Sequence, residues 1–506
     1  MTKLVNISLF PHGYRYFPYE KALALKELEA ITGAKLSSDI TEGAVCLKSN
    51  VCSADLQKLV YFEKFSKEGA DYLTVQARLE QSAKVGQIRR QATRYSAHGI
   101  HEYKGKFNPQ IVRAILNILK IGPDDSVIDP FCGSGTALLE SAHAGISAVG
   151  TDINPLAVFI ANEKQRAVTV SVRLLSRSLD AVLTSYRRGK AVVDRSYWSE
   201  SELNYLENWF SPEALGDIDC LRRAISRTEK RAQGFLFVIA SDLLRDYSLQ
   251  EPADLRIRRR RTPIPTEPLI ERFGKRARKA IENIRVVQPL IKEKFVSGKA
   301  ILEDNRDYST RFLKKNKERF AAAISSPPYA TALPYIDTQR LSLVWLRLCE
   351  PKQLKDLEMD LTGSREITKS SQRSVLTDLV TNDDGLPQHA SEFCQYLANS
   401  VGEKDGFRRQ AVPALLFRYL KNMQSTLANV HELVSKGGHF ALVVGSNSTT
   451  LNGSSIPIDT PNLLTEVAVS AGWQLENAIP LQTYARYGLH AANAVRKESL
   501  VILAKP

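Results

Sequence analysis

The hydrophobic and polar positions change their period several times along the chain. Over residues 1–90 the pattern is mixed. Leu4–Phe10 reads as a strand, Tyr19–Thr32 repeats apolar residues at helical spacing, Ala44–Leu47 reads as a second strand and Ala54–Val60 as a short helix. A small α+β unit is expected there, followed by a basic connector carrying Lys84, Arg89, Arg90 and Arg94. From about residue 95 short apolar runs alternate with amphipathic ones: a helix over Gln110–Leu119, a buried strand at Ser126–Ile128, a helix over Ala137–Ala144 and a strand at Ala148–Thr151 that ends in Asp152. Strand, glycine-rich turn, helix, strand and acid make the first βαβ unit of a doubly wound α/β sheet. Residues 170–295 interrupt the alternation with helical periodicity at Glu200–Phe210, Ala214–Ile225 and Gly234–Leu244. Strands return at Ala300–Leu302, Ala321–Ile324, His439–Val444 and Ser499–Leu503, while residues 352–410 read as a polar, turn-rich, mobile excursion. The expected organisation is a unit over 1–90, a sheet domain over 95–169 and 296–506, and a helical, basic insertion over 170–295.

Composition narrows the class. With 43% apolar and 25% charged residues the chain is globular in type. No apolar run approaches the ~18–20 residues of a membrane span. Phe235–Leu244 is too short and contains Asp242, and the first residues lack a signal-peptide core, so a cytoplasmic location and no membrane partner are expected. The six cysteines show no CxxC and no Cys/His cluster, so neither a disulfide framework nor a metal site is expected.

The turn after the first sheet strand is Asp129-Pro130-Phe131-Cys132-Gly133-Ser134-Gly135-Thr136. Two glycines let a ligand approach the backbone at the carboxyl end of the strand. Asp152, 19 residues beyond Gly133, places a carboxylate where ribose hydroxyls would donate. A nicotinamide site needs the same geometry. The third glycine of that fingerprint is missing, however, and Phe131 with Asp129 suits a ligand with a cationic amino-acid end. That favours S-adenosylmethionine over a dinucleotide.

A second signal is Ala321-Ala322-Ala323-Ile324-Ser325-Ser326-Pro327-Pro328-Tyr329. Prolines cannot continue a sheet ladder, so a stiff loop leaves the strand end. Ser326 Oγ and the Pro327 carbonyl would accept hydrogen bonds from a substrate amino group, and Tyr329 would stack on a planar base. An exocyclic amine is a poor nucleophile because its lone pair is delocalised. Two acceptors on its hydrogens favour a tetrahedral nitrogen aimed at the methyl donor, with no covalent enzyme intermediate.

Together these motifs resemble the amino-methyltransferases that modify exocyclic nitrogens of DNA bases, and the Ser-Pro-Pro-Tyr form resembles their cytosine-N4 branch. The resemblance covers roughly residues 95–345 and 410–506. It implies a Rossmann-like methyltransferase fold, S-adenosylmethionine as cofactor, and Ser326, Pro327, Pro328 and Tyr329 as the catalytic loop. It also implies cofactor contacts from Asp129, Phe131, Gly133, Ser134, Gly135, Thr136 and Asp152. The segment His101–Pro109, with Lys106 and Phe107, is similar to the family's cover over the methionine moiety. Leu302-Glu303-Asp304-Asn305-Arg306 is similar to the strand end where an acid, here Asp304, meets the adenine. Tyr335–Leu341 after the loop is family-like too. The cofactor loop precedes the catalytic loop here, whereas many cytosine-N4 enzymes carry the reverse order. Cytosine-C5 chemistry is disfavoured because no Pro-Cys loop replaces Ser326-Pro327, and Cys132 reads as a small packing residue.

Charge adds the partner. The sequence holds 69 Lys+Arg against 55 Asp+Glu, a net +14, which favours a polyanion. The excess concentrates in Asp254–Lys294, with thirteen Lys/Arg against five Asp/Glu, opening on Arg256, Arg258, Arg259, Arg260 and Arg261. Those arginines suit phosphates and base edges. Near the C-terminus Gln482, Tyr484, Arg486, Tyr487, His490 and Arg496 read either as lining a base pocket or as packing a hairpin. The expected activity is methylation of cytosine N4 in double-stranded DNA, within a restriction–modification system and possessing a cognate restriction endonuclease as partner. Adenine N6, or guanine N2 of tRNA, is the alternative target; the strand–helix–strand start of the chain supports the RNA reading.

Overall fold

A computed structural model describes residues 4–34, 43–81, 91–291, 295–330, 334–383, 385–482 and 497–506. Four N-terminal strands, β1 (Val5–Pro11), β2 (Val45–Ser49), β3 (Phe62–Lys67) and β4 (Ala70–Leu73), form an antiparallel sheet in the order β2-β1-β3-β4. The alternation along β1 buries Ile7 and Leu9, and the helix Pro18–Thr32 buries Leu23, Ala24 and Leu28. Their apolar cluster runs on without a break into Ile111, Val112 and Ile115 of the helix Pro109–Ile118 and into the main sheet. At this seam the buried Glu27 carboxylate accepts from Asn117 Nδ2 (2.5 Å) and from the Val60 amide (3.0 and 3.1 Å).

The main sheet comprises β5 (Ser126–Asp129), β6 (Ser147–Asp152), β7 (Lys299–Leu302), β8 (Phe320–Ser325) and β9 (Val434–Gly445), followed, beyond a hairpin of β10 (Asn447–Leu451) and β11 (Ser454–Ile458), by β12 (Gln474–Gln482) and β13 (Lys497–Ala504). Its order is β12-β13-β9-β8-β5-β6-β7. Strands β5 to β9 run parallel to one another, and β13 runs antiparallel between β9 and β12. The central strands are apolar on both faces, as helices on either side require. The chain leaves β5 through β6 to β7 and crosses back to β8 on the other side of β5. The order therefore reverses between β5 and β8, and the crevice opens at their carboxyl ends.

The insertion is helical, as its periodicity predicts: Val172–Arg188, Glu200–Trp209, Pro212–Ser226, Lys230–Leu243 and Leu269–Ile291. Ser171, Ser199 and Ser211 cap three of these helices. The helices share one core with Leu156 and Ile160 of the helix Pro155–Thr169 and with Trp345. Residues 352–410 differ from expectation. They hold the helices Leu354–Asp360, Lys369–Thr381, Gln388–Asn399 and Phe407–Gln410. The helix Lys369–Thr381 buries only Leu379, so its sequence lacks the apolar stripe by which a helix is recognised. Among the described residues no helix is long and apolar enough to cross a membrane.

Candidate active site at the switch point of the sheet

Strand β5 delivers Asp129 and then the glycine turn to the crevice. Gly135, at φ +76°, opens the helix Thr136–His143 and sits so close to the neighbouring helix that a Cβ would stand 2.7 Å from that of Ala161. At Gly133 a Cβ would stand 3.3 Å from Tyr103 Cε1. The Gly133 amide donates to Asp152 Oδ2 (2.9 Å), and the Asn154 amide donates to Asp152 Oδ1 (2.8 Å). Asp129 Oδ1 accepts from Ser325 Oγ (2.6 Å) and from the Phe131 amide (3.1 Å). All four donors are neutral. Burial pushes the Asp129 carboxyl up to about 7, with the Asp152 charge adding to the effect, and pushes Asp152 up to about 6. Ser134 Oγ accepts from the buried Lys164 ammonium (2.9 Å), and the buried Thr136 hydroxyl has no hydrogen-bond partner among the described residues. Phe131 packs at the edge of the core behind the turn.

Strand β8 lies beside β5 in the register Val127↔Ala322 and Ile128↔Ala323. It ends at Ser325, from which Ser326-Pro327-Pro328-Tyr329 departs into the same crevice. Ser326, Pro328 and Tyr329 are half-buried, and Pro327 is buried. The Tyr329 hydroxyl donates to Glu498 Oε1 on β13 (2.6 Å), and Asn447 Nδ2 donates to the Ala330 carbonyl (2.9 Å). The Tyr335 hydroxyl is hydrogen-bonded to the Tyr329 backbone, and its ring would meet a Cβ at Gly105 at 3.1 Å. Gln339 is hydrogen-bonded to Tyr103 and accepts from Asn154 Nδ2 (2.5 Å). The segments around residues 101–109 and 335–341 therefore close over the glycine turn from one side. Within them Lys106 is turned inward: its ammonium donates to the Thr93 and His98 carbonyls (3.1 and 3.2 Å), and burial brings it down to about 7. Phe107 packs on the core.

The third wall is the edge of β6 and β7. A cavity of about 590 Å³ lies between Ile153, Leu302, Glu303, Asp304 and Tyr308. Burial works to raise Asp304, but Arg306 clasps both of its oxygens (2.6–3.1 Å) and holds it below the usual carboxylate value.

Sequence reasoning placed the two loops but passed over the bond that joins them. Ser325 stood in the Ala321–Tyr329 motif without a role of its own, Tyr103 and Tyr335 stood only within the family-like segments His101–Pro109 and Tyr335–Leu341, and Gly363, just beyond the helix Leu354–Asp360, carried no motif. The basic run is divided by the fold. Arg260 gives its guanidinium to the Asp246, Ser248, Thr262 and Pro263 carbonyls, and Arg259 donates to the Asn208 carbonyl and lies over the Trp209 ring. Arg258 pairs with Asp254 (3.0 Å), while Arg256 and Arg261 are exposed. Lys84, Arg89, Arg90, Tyr484, Arg486, Tyr487, His490 and Arg496 lie outside the described residues, and Gln482 closes β12. Apart from the crevice, a buried polar group surrounds Glu140, whose carboxylate takes hydrogen bonds from Tyr95, His98, His143 and Arg113.

Residues 100–191, which hold the whole glycine turn and Asp152, match the model of the UPF0020 family, described as an RMKL-like methyltransferase domain. The chain carries a methyltransferase domain. Its cofactor is S-adenosylmethionine. The methyltransferase domain fits that group: the carboxylates of buried Asp129 and half-buried Asp152, which among the described residues accept from neutral donors, suit a cation, the glycines leave room that a Cβ would fill, and the Thr136 hydroxyl is unpaired among the described residues. The chain is 26% identical over 282 residues to "Type II methyltransferase M.MvaI" of Kocuria varians, covering 53% of this chain. It spans 61% of that relative's length. It is 21% identical over 465 residues to "Type II methyltransferase M.BsoBI" of Geobacillus stearothermophilus, covering 81% of this chain and 86% of the relative. A 52-residue stretch is 36% identical to a tRNA (guanine(10)-N2)-dimethyltransferase of Methanothermobacter thermautotrophicus, covering 10% of this chain and 16% of that one.

Proposed function

We propose that the chain methylates an exocyclic base nitrogen in double-stranded DNA, with cytosine N4 as the target, in a restriction–modification system alongside a restriction endonuclease of the same specificity in the cytoplasm. The observation that carries this reading is the 2.6 Å bond from Ser325 Oγ to Asp129 Oδ1, which ties the strand end bearing Ser326-Pro327-Pro328-Tyr329 to the strand end bearing the cofactor turn. The two Type II methyltransferase relatives support the class of substrate.

S-adenosylmethionine, when bound, supplies an electrophilic methyl group on a sulfonium. The chain's own residues do the rest. Gly133, Gly135, Asp129 and Asp152 hold the cofactor, with Phe131, Ser134 and Thr136 shaping the turn and Asp304 standing at the adenine end. A target base inside a duplex is out of reach, so it is extruded into the crevice. Ser326 Oγ and the Pro327 carbonyl accept the two amine hydrogens, which localises the nitrogen lone pair. Tyr329, anchored through its hydroxyl to Glu498, flanks the base. The amine nitrogen would form its N–C bond as the methyl's bond to sulfur breaks, the electron pair staying on sulfur, and would give up one proton to water.

Sequencing DNA from cells that express the protein, by a method reporting both base and context, is the test. N4-methylcytosine at one short motif is the expected result. N6-methyladenine would move the target to adenine. Labelled methyl taken up by tRNA in preference to duplex DNA would overturn the DNA reading, and the short stretch shared with a tRNA methyltransferase makes that competition worth running.

A further inference from the structure

The run Phe235–Leu244, which closes the insertion helix Lys230–Leu243, is apolar except for Ser241 and Asp242. The Asp242 side chain is only 7% exposed. Taking a carboxylate out of water is costly, and well-packed apolar residues in place of a buried ion pair are often as stable. Core packing therefore gives no reason for an acid at this position. The cost is offset by groups outside its own helix. The Glu102 amide donates to Asp242 Oδ1 (2.9 Å), and Arg276 of the helix Leu269–Ile291 brings its guanidinium to Oδ2 (2.6 Å).

Glu102 stands at the head of the 101–109 segment that closes over the glycine turn. Its neighbour His101 is buried, with Nδ1 3.6 Å from Asp242 Oδ1, and neither ring nitrogen has a hydrogen-bond partner among the described residues. The tie to Asp242 therefore runs through the Glu102 amide. The Glu102 carboxylate pairs with Arg94 (2.7 Å) and lies 3.8 Å from Arg276, so that Arg276 reaches both Glu102 and Asp242. One residue further on, the Tyr103 ring lies against the turn, 3.3 Å from where a Cβ on Gly133 would stand. The same helix anchors the other flank. The Ser241 carbonyl accepts from Ser342 Oγ (3.0 Å), just beyond the 335–341 segment. Adjacent residues of one insertion helix thus hold both segments that border the turn.

We propose that Asp242 is a positioning residue for methyl transfer: by holding the Glu102 amide and Arg276 together it keeps the 101–109 segment down on the glycine turn, and so retains S-adenosylmethionine there; this rests on the reading of the glycine turn as the cofactor's seat. Asp242 touches neither the turn nor the catalytic loop. It acts through the backbone that sets the Tyr103 ring beside Gly133, as a supporting bond fixes a group that lines a site. The insertion thereby serves the methyl donor, and loosening this anchor shortens the donor's stay.

The test follows S-adenosylmethionine on the full chain, by calorimetry for affinity and by displacement of labelled cofactor for the dissociation rate. D242A is expected to weaken affinity about tenfold through faster dissociation, the scale of one hydrogen bond to a charged group. D242N, which keeps an oxygen for the Glu102 amide, restores most of that affinity. Q288A removes two other bonds between the insertion and the sheet domain, to the Val168 and Val170 carbonyls (2.8 and 2.7 Å). It leaves cofactor affinity at the parental value even where the melting temperature falls. R276Q, at a partly exposed position, carries the test should D242A fail to fold, with a loss of about threefold in the same direction. Parental affinity and dissociation rate in D242A or R276Q overturn the positioning role and leave the seat standing, and so does an equal loss in Q288A. D152N changes the seat itself and is expected to lose the cofactor. Parental affinity in D152N overturns the reading of the turn, and the role of Asp242 with it.

Discussion

Asp129 and Asp152 hold their protons more tightly than free carboxylates do, at about 7 and about 6, because burial removes the water that would stabilise their charge. Both values lie above those of the unfolded chain. The stability linked to these groups is therefore full at low pH and is lost as pH rises through 6 and 7 in the cofactor-free protein. A cationic ligand reverses the balance by favouring the charged forms. S-adenosylmethionine affinity should then climb with pH across about 6 to 7 and level off above, with protons released on binding. Calorimetry in buffers of different ionisation enthalpy reads both effects, and a flat profile would sink the assignment. Ser326→Ala removes an acceptor and not a ligand contact. It should cost about 10²–10³ in kcat, by the scale of lost transition-state hydrogen bonds, with S-adenosylmethionine affinity unchanged. At this scale the sequence named both loop motifs because each concentrates residue types that ordinary turns do not need. The Ser325–Asp129 bond was illegible because it depends on which strands lie side by side, a non-local fact.

At the scale of elements, the glycine turn works because the helices behind it pack without a gap. Gly135→Ala places a methyl 2.7 Å from Ala161 Cβ in a backbone conformation that L residues avoid. A loss of about 1–3 kcal/mol in stability is expected, from overpacking and strain together. Cofactor binding should be abolished. Thermal denaturation with and without S-adenosylmethionine checks this, since the variant should lose the ligand-induced shift as well as the baseline. Strands β5, β6, β8 and β9 were legible from their apolar runs and the insertion from its helical period. The helices of residues 352–410 were not, because they present polar faces and bury few side chains. The β10–β11 hairpin was missed although Asn452-Gly453 at its tip is a strong turn signal. Its strands are short and half exposed, which thins the alternation by which they would be read.

For the whole molecule, the N-terminal sheet and the methyltransferase sheet share one apolar cluster. Removing residues 1–81 would uncover Ile111, Ile115 and the rest of that face of the helix Pro109–Ile118, and would leave Asn117 without Glu27. The truncated chain should aggregate on expression, and a soluble, S-adenosylmethionine-binding fragment would show that the front segment is dispensable to the fold. Burial pushes Glu27 up to about 7, so its contribution to the seam is complete at acid pH and declines as pH rises through neutrality.

The reversal of strand order between β5 and β8 has a consequence for how this architecture diversifies. Donor and acceptor chemistry stand shoulder to shoulder on adjoining strands, while the peptide linking β6 to β7 and that linking β8 to β9 are free to lengthen. Whatever reads the substrate can be exchanged in those two excursions, and the pair of strands where the methyl changes hands need not shift its footing.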